Sequence, residues 1–188
     1  NVFTSWDIIS GDFKLAENIL IYDEVGDHTA MQSAEIAIEK GSTVEFMTPD
    51  RLISSEIMGM NLTPYLKNLQ NKKITYSIAK RLIDVSIKGN KLNAIIGSDY
   101  DEHFKHNSTY DQIFLNYGVK PLDELYFNLV SFSKNEGEVN YTKFIKGETQ
   151  NIIKNKNNKF NLYRIGDAVS SRNIHAAIYD ALRLVINL

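Results

Sequence analysis

Short apolar runs and a segment of helical spacing alternate near the start of the chain. Apolar runs at residues 18–22 and 43–47 are typical of buried parallel strands. Between them, small and apolar residues recur at helical spacing from about 29 to 40, and Gly41 is a helix-stop residue. The pattern therefore predicts a βαβ unit with a right-handed crossover.

The pattern changes after a helical candidate at residues 62–70. Residues 73–78, 82–88 and 91–98 are each typical of β-strands, and the last two are joined by a Gly-Asn hairpin turn. A return strand is predicted at residues 112–116. This order of elements predicts an α/β protein, with a three-layer Rossmann-like nucleotide-binding fold that combines a parallel sheet and an antiparallel β-meander.

The last third of the chain is more polar. Residues 131–159 are rich in Asn, Lys and Gly, which indicates surface loops with a strand or short helix inside. A last strand is expected at 160–165 and a last amphipathic helix at 173–188. The apolar face of this helix is predicted to pack into the core. Its members are Ile174, Ala177, Ile178, Ala181, Leu182 and Val185.

Composition and charge exclude several classes of protein. A chain of 188 residues with 43% hydrophobic residues can bury a core without disulfides. The net charge of -2 argues against a nucleic-acid partner, and no apolar run is long enough to cross a membrane. With no cysteine, the chain cannot itself ligate an iron–sulfur cluster through thiolates. The absence of cysteine and of a signal segment favours the cytoplasm. Because Asn1 is not Met, we expect a part of a longer protein.

The loop after the first strand is a candidate nucleotide-binding loop. In a dinucleotide fingerprint three glycines lie here, and the corresponding residues are Val25, Asp27 and Ala30. Ala30 is a usual substitute and Gly26 adds flexibility, but Asp27 brings a carboxylate to the place of the pyrophosphate. The sequence therefore favours a scaffold with an altered loop. NAD(P) binding is the alternative, with Gly26 and Ala30 as candidate contacts and Arg51 as a candidate phosphate contact.

A second candidate site lies at Gly166, Asp167 and Ala168, between the last strand and the last helix. Glycine allows a close approach of a nucleotide, and Asp167 can accept a hydrogen bond from a ribose or ribityl hydroxyl while backbone N–H groups face a phosphate. Arg172 is a further candidate for phosphate contact. The alternatives are that Asp167 is a helix cap and that Arg172 only begins the helix.

The histidines offer a weaker hypothesis. His103 and His106 are three residues apart and could share a metal only on a helix, whereas the surrounding sequence predicts a surface loop. No Ser–His–Asp arrangement has the strand–turn context of a hydrolase. No metal site and no catalytic residue are predicted in this chain.

Four segments, at residues 2–11, 21–28, 117–126 and 166–177, resemble in the same order passages of one family. It is the multidomain NADH:flavin oxidoreductase family of the old-yellow-enzyme type. Its members include trimethylamine and dimethylamine dehydrogenases, N-methyl demethylases and 2,4-dienoyl-CoA reductases. The family plan is a flavin-bearing (β/α)8 barrel, a cysteine-ligated iron–sulfur cluster and a pair of nucleotide domains similar to those of glutathione reductase.

The resemblance implies three regions. Residues 1–16 would be a linker from an upstream half of the FAD/ADP domain, 17–117 an NAD(P)-binding-like Rossmann domain, and 118–188 the C-terminal part of the FAD/ADP domain. FMN and a 4Fe-4S cluster would belong to an N-terminal barrel outside this chain, which would be its partner together with a nucleotide cofactor, FAD or ADP.

The resemblance also implies a role. The parent protein would oxidise a methylated amine or reduce an enoyl thioester, and this segment alone would be inactive. The alternatives are a non-catalytic ADP- or NAD(H)-binding module and a structural domain with a degenerate site. Assembly into a homo-oligomer is left open.

Overall fold

The computed structural model describes residues 1–11 and 14–186 and divides the chain into two compact units, Asn1–Gly118 and Val119–Leu188. The elements of the first unit are β1 (Val2–Thr4), α1 (Ser5–Ser10), β2 (Asn18–Asp23), α2 (His28–Glu39), β3 (Thr43–Met47), α3 (Gly59–Leu69), β4 (Ile74–Ser77), β5 (Arg81–Lys88), β6 (Lys91–Gly97), β7 (His106–Tyr110) and β8 (Gln112–Asn116). Those of the second are α4 (Glu124–Leu129), α5 (Tyr141–Lys146) and α6 (Ile174–Val185), with 3-10 turns at Val130–Phe132 and Gly166–Ala168.

The first unit has three layers. Its parallel sheet has the strand order β1-β8-β2-β3-β4, and a separate antiparallel sheet has the order β5-β6-β7. One face of the parallel sheet packs on the helices and the other on the meander. We call the two clusters the helix-side core (chiefly Ile8, Ile19, Ile21, Ala30, Met31, Ala34, Phe46 and Phe114) and the meander-side core (Leu20, Tyr22, Met47, Leu92, Ala94, Ile96, Tyr110 and Ile113). The predicted fold class is confirmed.

Burial on both faces explains the continuous apolar run of β2. Its residues alternate between the two cores, so that Ile19 and Ile21 lie on the helix side while Leu20 and Tyr22 lie on the meander side. A strand covered on both faces needs apolar residues at every position, which is why no polar alternation is visible in the sequence.

Three details of the first unit differ from the predictions. Residues 73–78, predicted to continue into the meander, form β4 at the edge of the parallel sheet instead, paired with β3. The surface loop predicted around His103 is present, but it is followed by a strand, β7, which was missed because its sequence is short and polar. The expected linker at 1–16 contains β1, which pairs with β8, and α1, whose Ile8 is buried in the helix-side core.

The second unit lacks the strand predicted at residues 160–165. The N–H of Leu162 donates to Oδ1 of Asn135 over 2.8 Å, and its carbonyl accepts from Nδ2 of the same side chain over 2.8 Å. A buried amide side chain thus satisfies the backbone groups that a neighbouring strand would otherwise satisfy. The short helix expected within residues 131–159 is present as α5.

The last helix is present, but its apolar face is not buried as predicted. α6 begins after Asn173, whose Oδ1 accepts from the N–H of Ala176 over 2.9 Å. Ile178 and Leu182 are 61% and 53% exposed, and of its large apolar side chains only Leu184 is buried. The described part of the second unit has no layer that could cover this face. Residues 187–188, which the prediction included, lie outside the described residues.

Candidate functional site

The carboxyl edge of the parallel sheet holds the predicted nucleotide loop. β2 lies in the middle of the sheet, with β3 on one side and β8 on the other. In open α/β sheets ligands bind at the carboxyl ends of the strands, where the strand order changes direction. The loop from Asp23, the last residue of β2, to Asp27, the N-cap of α2, lies at this position.

Two side chains of this loop accept hydrogen bonds from backbone N–H groups of the loop and of the start of α2. Oδ1 of Asp23 accepts from the N–H groups of Val25 (3.1 Å) and Gly26 (2.9 Å). Oδ1 of Asp27 accepts from the N–H of Thr29 over 3.0 Å, which is the usual N-cap bond at the start of a helix. Three backbone N–H groups of this loop and helix start, those of Val25, Gly26 and Thr29, therefore already bind carboxylates.

A third side chain joins the two carboxylates. Nδ2 of Asn116, the last residue of β8, donates to Oδ1 of Asp23 (2.9 Å) and to Oδ1 of Asp27 (3.0 Å). Burial raises the pKa of the Asp23 carboxyl above its usual value, and the nearby charge of Asp27 adds to this. Oδ2 of Asp23 is buried and has no hydrogen-bond partner among the described residues.

The predicted contacts Gly26 and Ala30 are both tightly packed. Gly26 has a φ of 77°, and a Cβ there would lie 2.7 Å from Oγ of Ser55. Its carbonyl accepts from the N–H of Glu56 over 3.1 Å, so the loop after β3 lies directly on this glycine. Ala30 is fully buried in the helix-side core, which is the place of the third fingerprint residue in close helix–strand packing. Their role as nucleotide contacts stays a prediction.

An ion-pair network lies beside the same loop. Arg81, the first residue of β5, donates to both carboxylate oxygens of Asp99 and to Glu24, each over 2.6 Å. The hydroxyl of Tyr22 donates to the same oxygen of Glu24 over 2.6 Å. The network links the meander to the end of β2. Sequence reasoning missed it because its members are far apart in the chain.

The second predicted site is a tight turn against α6. Gly166 has a φ of 57°, and a Cβ there would lie 3.1 Å from Cβ of Ala177, so both the backbone and the close approach favour glycine. Its N–H donates to Oδ2 of Asp180 over 3.2 Å, and Arg172 forms an ion pair with the same oxygen. The ion pair of Arg172 thus fixes the carboxylate of Asp180, which accepts the hydrogen bond from the turn.

The other two residues of that turn are more accessible than Gly166. Asp167 is exposed and makes no hydrogen bond to any residue within 1–11 or 14–186, while Ala168 is partly buried. The carboxylate of Asp167 is therefore available to accept a hydrogen bond from a hydroxyl group. Its role as a nucleotide contact stays a prediction.

Neither His103 nor His106 lies on a helix, the arrangement that a shared metal site was expected to need. His103 is exposed and lies 3.6 Å from a carboxylate oxygen of Glu102, whereas His106 begins β7. Among the described residues, no group of three or more His, Cys, Asp or Glu side chains could hold a metal ion. None of the described helices is both long and apolar enough to span a membrane.

Comparison with known proteins extends these observations. The chain is 51% identical, over 184 residues and 98% of its length, to a protein of Rhizobium meliloti (strain 1021) named a probable N-methylproline demethylase. It is 30% identical over 97% of its length to the N,N-dimethylglycine/sarcosine dehydrogenase of Chromohalobacter salexigens. The chain belongs to the multidomain NADH:flavin oxidoreductase family. It spans 27% of the length of each of these two relatives.

The fold is also similar to that of a solved protein. The 6-hydroxypseudooxynicotine amine oxidase of Pseudomonas geniculata N1 superposes on 95% of the chain with a TM-score of 0.67, at 19% identity, and the match covers 23% of that protein. At this level of identity the likeness concerns the fold alone. No protein-family model matches the chain.

Proposed function

We propose that this chain is the C-terminal nucleotide-binding and scaffolding region of a flavin-dependent oxidoreductase that removes an N-methyl group from an amine. The observation that carries the proposal is the 51% identity to a probable N-methylproline demethylase along 98% of the chain. Of the two substrate classes that the sequence suggested, an amine and an enoyl thioester, the names of both relatives favour the amine.

The reaction class follows from the chemistry of an N-methyl group. A flavin bound outside this chain would supply the oxidising equivalent, and loss of a hydride equivalent from the methyl group gives an iminium carbon. Water adds to that carbon, and the adduct breaks into formaldehyde and the demethylated amine. FMN, a 4Fe-4S cluster and the reacting atoms belong to the rest of the protein, for which we propose a cytoplasmic location.

The role of this chain is to form one wall of a nucleotide site for FAD or ADP. Gly166 gives the ligand access to the backbone, and the free carboxylate of Asp167 accepts a hydrogen bond from a hydroxyl of the nucleotide. Arg172 acts indirectly, because its ion pair fixes the Asp180 carboxylate that accepts from Gly166 N–H. No step of the chemistry is assigned to these residues.

The partner that we propose is the remainder of the same protein, including its N-terminal barrel. A helix of twelve residues that leaves Ile174, Ile178 and Leu182 exposed needs a cover, because water-exposed apolar stripes of this kind mark interfaces. We expect the remainder to copurify with this chain when the two are coexpressed. Replacing Ile178 and Leu182 by Glu should abolish copurification, and persistence of the complex would contradict the contact.

The test of function uses the full-length protein. Incubation with N-methylproline or with N,N-dimethylglycine should release formaldehyde, whereas the 188-residue chain alone should release none. Asp167→Ala should reduce the amount of FAD or ADP retained on purification. Glu148→Ala, at an exposed carboxylate in the same unit, should leave the retained nucleotide unchanged. Absence of formaldehyde with every methylated amine, together with reduction of an enoyl thioester, would overturn the proposal.

A further inference from the structure

Three side chains, Asp23, Asp27 and Asn116, form what we call the carboxylate–amide cluster at the carboxyl edge of the sheet. Asp23 and Asn116 are partners in the register of β2 and β8, and Asp27 begins α2. Asp23 is fully buried and Asn116 nearly so. Two members of the cluster are therefore interior residues, while Asp27 is partly buried.

Three backbone N–H groups and one side-chain amide of this loop are already hydrogen-bonded within the protein. The N–H groups of Val25 and Gly26 donate to Asp23, and the N–H of Thr29 donates to Asp27. Nδ2 of Asn116 donates to both carboxylates. A phosphate at the start of a helix binds through backbone N–H groups of this kind. It could reach the N–H of Thr29 only by displacing the carboxylate of Asp27.

Two further observations describe the surroundings of the cluster. The buried Oδ2 of Asp23 has no hydrogen-bond partner among the described residues, and an unpaired buried oxygen is unfavourable. The loop after β3 also lies on Gly26, through the hydrogen bond from Glu56 N–H and the close approach of Ser55. The start of α2 therefore already holds a carboxylate of the protein, and the loop after β3 covers its glycine.

We propose that the carboxylate of Asp27 takes the place of a dinucleotide phosphate, so that Asp27 is the residue that excludes pyridine nucleotides from the first unit. Asn116 holds it there by bridging it to Asp23. The inference concerns the first unit and does not rest on the demethylation chemistry or on the nucleotide site proposed for the second unit.

The test measures ligand binding by the chain itself through the backbone amide resonance of Thr29. The probes are pyrophosphate, NADH and NADPH, added to the unmodified protein and to Asp27→Gly and Asp27→Asn. Glycine vacates the position, and asparagine keeps an oxygen that can accept from Thr29 N–H and Asn116 while removing the charge. We expect Asp27→Gly to bind pyrophosphate and NADPH at least about tenfold more tightly than the other two proteins.

The outcomes separate occupancy of the site from charge repulsion. Binding of either nucleotide at Thr29 in the unmodified protein would overturn the proposal, and so would failure of Asp27→Gly to bind. Equal binding by Asp27→Asn and Asp27→Gly would also overturn it, because the ligand would then enter past an intact cap. If glycine unfolds the loop, as judged by the indole resonance of Trp6 and the amides of α2, Asp27→Ala takes its place with the same expectations.

Discussion

The buried carboxyl of Asp23 makes the stability of the first unit depend on pH. Burial raises its pKa in the folded protein, so the folded state keeps a proton at pH values where the unfolded chain has lost it. Between the unfolded and the folded pKa the native state therefore binds more protons than the unfolded state. In that window the free energy of unfolding falls as the pH rises.

Asp23→Asn should remove this pH dependence. The amide oxygen can still accept from Val25, Gly26 and Asn116, and the side chain resembles the protonated acid. We expect the variant to be more stable than the unmodified protein at neutral pH and equally stable below about pH 4, near the pKa of an unfolded aspartate. Urea unfolding across this range measures the difference. A difference in the free energy of unfolding that stays the same at every pH would contradict the prediction.

Gly26→Ala should destabilise the first unit more than a matched glycine substitution. Both Gly26 and Gly89 have positive φ, at 77° and 62°, but a Cβ at Gly89 meets no atom within 4 Å. Gly89→Ala should cost about 1–2 kcal/mol from its left-handed backbone alone. Gly26→Ala should cost more, because its Cβ would also approach Oγ of Ser55 to 2.7 Å. Urea unfolding compares the two variants. Equal losses in the free energy of unfolding would contradict the prediction, because they would show that the loop after β3 moves to accommodate the added Cβ at no cost.

At the level of single residues, the sequence locates only those contacts that depend on local spacing. Gly26, Asp27 and Ala30 were identified by counting along one loop, and they do lie around the start of α2. Asn116 could not be found in this way. It meets Asp23 only because β8 pairs with β2 in one particular register, and that register joins residues far apart in the chain.

At the level of elements, periodicity predicts which residues share a face but not what covers that face. The spacing identified α6 correctly, yet the face that it predicted to be core is exposed in the described chain. The strand predicted at 160–165 is absent for a related reason. A strand needs a neighbouring strand to bond its backbone groups, and the side chain of Asn135 bonds those of Leu162 instead. In contrast, β2 and β3 were predicted correctly because both faces of each are buried.

Two substitutions in α6 should therefore differ in how much they destabilise the helix in this chain. Leu184 is 5% exposed, so Leu184→Ala should lower the free energy of opening of the helix by about 2 kcal/mol or abolish its protection entirely. Ile178 is 61% exposed, so Ile178→Ala should change it by less than about 0.5 kcal/mol. Amide hydrogen exchange along α6 measures both. A large effect of Ile178→Ala would mean that its face is already covered, by a second copy for example.

At the level of the whole molecule, the two units differ in how they are stabilised. Among the described residues, the buried apolar side chains belong to the first unit with the single exception of Leu184. The buried side chains of the second unit are mainly polar, such as Ser133, Asn135 and Gln150. Burial of apolar surface is the main favourable contribution to folding, so the second unit has little driving force of its own.

We therefore expect the fragment 1–118 to fold alone and the fragment 119–188 not to. The first fragment keeps both hydrophobic cores and should unfold in one cooperative transition. The second keeps one buried leucine, and its hydrogen bonds alone do not offset the entropy lost when the loops become ordered. Circular dichroism during thermal unfolding distinguishes a sigmoidal transition from a gradual one. A cooperative transition of fragment 119–188 as a monomer would contradict the argument, because it would show that the exposed face of α6 needs no cover.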